Sequence, residues 1–67
     1  MSDMLLQALK KKLEGDVAVA KANVLIYKQK SVGIGEHPQH LDEVDKLIVK
    51  IATAKENLMV IEEIRDI

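Results

Sequence analysis

Sixty-seven residues with a net charge of −1, 48% apolar side chains and no cysteine make one small domain at most. They exclude a disulfide framework and a thiolate metal site. Aliphatic residues supply nearly all of the apolar content, with Tyr27 the lone aromatic. That composition is too rich in branched aliphatics, and too weakly charged overall, for a disordered chain.

The first helical pattern opens at Ser2 and Asp3, a capping hydroxyl followed by an acid suited to the positive end of a helix dipole. Leu6, Leu9, Leu13, Val17, Ala20, Val24 and Tyr27 then recur at steps of three or four, predicting a helix over about 3–30. Gly15 interrupts it at a cost of about 1 kcal/mol relative to Ala. Long flanking stretches absorb that cost, so a continuous helix is expected, with local weakness or close packing at the glycine.

The stretch SVGIGEHPQH, residues 31–40, brings together two glycines, the single proline and both histidines, and a turn is expected over about 31–37. Gly33 suits a left-handed helix end, Gly35 adds a second permissive position, and Pro38 suits the first turn of a following helix. This is a turn, short enough to force an antiparallel hairpin.

A second helix is expected over about 38–65, its stripe running through Leu41, Val44, Ile48, Ile51, Ala54, Leu58, Ile61 and Ile64. Asp42, Glu43 and Asp45 crowd its start, and Asp42 stands four residues before Lys46 in the favourable order for an ion pair.

Charge divides between the halves. Residues 1–33 hold six lysines against three acids, and residues 34–67 hold four basic residues against eight acids. Folding the hairpin brings Lys10, Lys11 and Lys12 toward Glu56, Glu62 and Glu63, which favours one pairing of the helices over others.

The apolar residues outnumber a single seam. Ala18, Val19, Ala22, Leu25 and Ile26 lie off the first stripe, and Leu47, Val49, Ala52, Met59 and Val60 lie off the second. A chain this short buries only roughly 60% of its unfolded surface and usually needs a staple. With no disulfide available, a partner chain is the staple that remains. The expected fold class is all-α: an antiparallel two-helix hairpin of coiled-coil type, assembling as a homo-oligomer (dimer or tetramer) into a four-helix bundle. The expected interaction face comprises Val19, Ala22, Ile26, Ala52, Met59 and Val60.

Other chemistries are weaker in the sequence. His37 and His40 stand three apart beside Glu36, Asp42 and Glu43, a conceivable zinc or nickel pair. The spacing lacks a third fixed ligand, so the sequence disfavours a metal, and no other cofactor is expected. His37 reads as a solvated cap and His40 as an exposed first-turn residue. The GIG run follows a helix and lacks the remaining residues of a phosphate-binding loop. No nucleophile–base–acid set stands out, so the chain reads as non-enzymatic.

Lys10, Lys11, Lys12, Lys21 and Lys28 give the alternative reading, a small nucleic-acid-associated regulator. The slightly acidic net charge and the scarcity of aromatics for base stacking count against it. No apolar run approaches the ~20 residues of a membrane span, and no secretory leader pattern opens the chain. A cytoplasmic protein without membrane contact is expected.

The run VGIGEHPQHLDEVDKLIVKIATAKENLMVIE resembles the products of small reading frames in tailed phages of marine cyanobacteria. The resemblance rests on the VGIGEHP turn, the acidic helix start and the stretch holding Lys50, Ile51, Ala52, Ala54, Glu56 and Leu58. It covers about the second half of the chain. Those products are small helical hairpins of unknown function, so the resemblance implies a phage setting inside an infected bacterial cell. It implies no activity and no site residues. The leading expectation is therefore an interaction or assembly module that pairs with itself or docks on a host or virion protein.

Overall fold

The computed structural model describes residues 2–29 and 38–67. Two helices account for nearly all of these, α1 over Ser2–Gln29 and α2 over Pro38–Arg65. The expected turn, with Gly33, Gly35 and His37, lies outside the described residues. Pro38 opens α2, the position where a fixed φ is pre-organised and a missing N–H is harmless. Asp3 lies in the first turn of α1, Lys28 in its last turn and Arg65 in the last turn of α2, each favourably placed against the dipole.

α1 runs through Gly15 without a break. A Cβ built at Gly15 meets nothing within 4 Å. Close packing within the hairpin therefore does not explain the glycine.

The helices lie antiparallel. At one end Arg65 reaches Asp3 and Lys10 reaches Glu62, and at the other Tyr27 meets His40. The pair forms a rod of 50 × 14 × 13 Å.

One seam joins the helices. In α1 the partly or fully buried residues are Leu6, Lys10, Leu13, Val17, Ala20, Val24 and Tyr27, with Asp16 beside them. In α2 they are His40, Val44, Leu47, Ile51, Ala54, Leu58, Ile61 and Arg65. Both series advance by four, then three, then four again, the heptad repeat that holds a seam against a partner helix.

This repeat corrects the stripes expected from apolar spacing alone. Leu9, Leu41, Ile48 and Ile64 fall off the heptad and are exposed, Leu41 to 70%. Leu47, expected on the outer face, belongs to the seam. The error is physical in origin. Lys10 and Arg65 occupy seam positions because long side chains lay their aliphatic stems against apolar neighbours while the charged heads reach carboxylates. His40, expected as an exposed residue, is half-buried with its ring centroid 5.5 Å from that of Tyr27 at a 59° tilt. That distance lies in the range of tilted aromatic pairs.

The acids of α2 also sit differently from expectation. Its first turn holds none, since Asp42 and Glu43 begin one turn in, where the dipole has faded. Lys46 pairs with Glu43 at 3.4 Å, three residues away, and not with Asp42.

Among the described residues only Ala20, Ala54 and Ile61 are buried, at 2%, 5% and 4% exposure. Burying an isoleucine contributes about 1.5–3 kcal/mol and an alanine methyl under ~1 kcal/mol. The seam aligns the helices, but it is a thin core for a chain that must order two helices of 28 residues each.

Candidate functional site

Two surfaces could carry function: the charged end of the rod and the outer faces of the helices. The charged end is built from side chains of both helices. Lys10 donates to Glu62 at 3.0 Å, Arg65 Nε donates to Asp3 at 3.3 Å, and Arg65 Nη1 donates to Glu62 at 3.5 Å. Lys10 occupies a seam position of α1 and Arg65 one of α2. The cluster therefore fixes the antiparallel register where the apolar seam tapers.

Of the basic run, Lys10 makes the expected cross-helix contact. Lys12 turns back to Asp16 within α1, at 2.9 Å, and Lys11 is exposed and lines a hollow with Gln7, Lys10, Glu14 and Arg65. Two of the five lysines of the nucleic-acid alternative are thus held by carboxylates of the hairpin itself.

These contacts shift two carboxyl groups. The hydrogen bond from Lys10 holds Glu62 below its ordinary range, with the charges of Lys10 and then Arg65 adding to it. The hydrogen bond from Lys12 holds Asp16 below its ordinary range, helped by the charges of Lys12 and Lys50. A carboxyl whose folded pKa is depressed contributes stability above its unfolded pKa and loses it as pH falls through the folded value. Melting temperature is therefore expected to stay level from pH 8 to 6 and to fall as pH drops below about 4, the carboxylate range. A Glu62→Gln, Asp16→Asn double variant should lose less on acidification from pH 5 to 3. Parallel curves for the two proteins would remove these pairs as the cause. The sites are exposed, so the effect is modest.

Of the disfavoured metal pair, His37 and His40, His37 lies outside the described residues. Among the described residues no group of three histidine or acidic side chains is placed to hold a metal ion. A shallow hollow beside the seam is lined by Asn23, Ile26, Tyr27, Glu43 and Leu47, and another by Leu13, Asp16, Lys50, Thr53, Ala54 and Asn57. Both are open grooves along one flank of the helix pair.

The outer faces are the larger feature. Val19, Ala22, Ile26, Ala52, Met59 and Val60, the face expected from sequence, are all exposed. They do not form one patch. Val19 and Ala22 lie on the back of α1 and Ala52, Met59 and Val60 on the back of α2, while Ile26 borders the hollow that also holds Tyr27 and Leu47. The back of α1 continues through residues that sequence reasoning left out, Met4 and Leu5, exposed to 75% and 74%. Their signal was their heptad spacing from Ala18, Val19, Leu25 and Ile26, which becomes legible once the seam register is fixed. Asp42, Asp45, Glu56 and Glu63 interrupt the back of α2.

The total accessible surface is 5383 Å². A compact folded monomer of 7.5 kDa is expected to expose about 4,200 Å². The excess, roughly 1,100 Å², follows from the elongated 50 × 14 × 13 Å shape of the hairpin.

No protein-family model, curated protein or solved structure matches the chain. Neither described helix is long and apolar enough to cross a membrane.

Proposed function

We propose that the chain is a non-enzymatic assembly module, a helical hairpin whose outer apolar surface is completed by protein–protein association. The observation that carries this reading is the apolar surface left after the seam is made. Met4, Leu5, Val19, Leu25, Ile26, Val49, Met59 and Val60 all remain outside it, from 44% to 75% exposed. They are divided between two helices and interrupted by Lys11 and Lys12 on α1 and by acids on α2, yet eight large aliphatic side chains outside the seam exceed the scattered few that are ordinary on a monomer of this size. A heptad seam with few buried side chains adds the need, because the hairpin alone holds little apolar area. The resemblance of the second half to small phage proteins supplies a setting, an infected bacterial cell, in which such a module would act.

Association makes stability depend on protein concentration. The melting temperature is expected to rise by several degrees between 2 and 200 µM chain. A midpoint constant over that range, with helices intact at the lower end, would remove self-association as the source of stability.

A further inference from the structure

We draw no further inference here: the strongest candidate, the exposed apolar back of α1 through Met4, Leu5, Val19, Ala22 and Leu25, carries nothing because Lys11 and Lys12 interrupt it and nothing in the structure shows what covers it.

Discussion

Replacing Ile61 by alanine is expected to destabilise the protein by about 2–4 kcal/mol, the usual loss for a buried isoleucine cut back to its first carbon. Ile61 is the only large side chain among the buried described residues, at 4% exposure. It lies where the apolar seam gives way to the Asp3, Lys10, Glu62 and Arg65 cluster, so a cavity there also loosens the contacts that set the register. A domain of this size has a total stability on the order of 3–10 kcal/mol, and the variant should lose a large part of it. Leu41→Ala is the matched control. Leu41 has the same helical periodicity in the sequence but is 70% exposed, so its truncation should cost less than about 0.5 kcal/mol. Urea denaturation of the two variants at one protein concentration distinguishes them. Equal losses would place Leu41 in the seam and contradict the heptad register.

The second large effect concerns association and leaves the hairpin intact. Leu25→Glu puts a carboxylate among the exposed apolar side chains of α1 that the assembly reading buries. The loss of apolar contact and the desolvation of the charge should together weaken dimerisation by about 100-fold or more, which corresponds to ~3 kcal/mol. Leu25 is 53% exposed in the hairpin and lies outside the seam. The variant's helix content at high concentration should therefore match that of the parent chain. Glu56→Leu removes an acid from the back of α2 and should not weaken dimerisation. Analytical ultracentrifugation reads both constants. An unchanged constant for Leu25→Glu would exclude the α1 face as the contact.

The helical hairpin was legible in the sequence because its signals agree with one another. Apolar residues recur at helical steps on both sides of a turn rich in glycine, and Pro38 marks the start of α2. Gly15 was legible as a tolerated interruption. The seam of α2 was not fully legible. Apolar spacing favours Leu41, Ile48 and Ile64, whereas the chain uses His40, Leu47 and Arg65.

That choice depends on side chains with two characters. Arg65 and Lys10 bury stems and expose charges, and the reward for placing them in the seam is a carboxylate on the other helix, Asp3 or Glu62. A periodicity that scores a residue as apolar or polar has no place for such a side chain. A strict four–three alternation finds the seam, because it is the only register that both helices keep from end to end. The surplus of apolar residues could be seen in the sequence, but its division between two opposed backs could not, since that follows from the seam register.

The molar mass in solution tests the central claim most directly, measured by light scattering on a size-exclusion column across a dilution series. The parent chain should elute at two or four times its 7.5 kDa at high concentration and dissociate on dilution, while Leu25→Glu should dissociate at far higher concentration. A parent chain that stays at 7.5 kDa with its helices intact at the highest concentration would contradict the account.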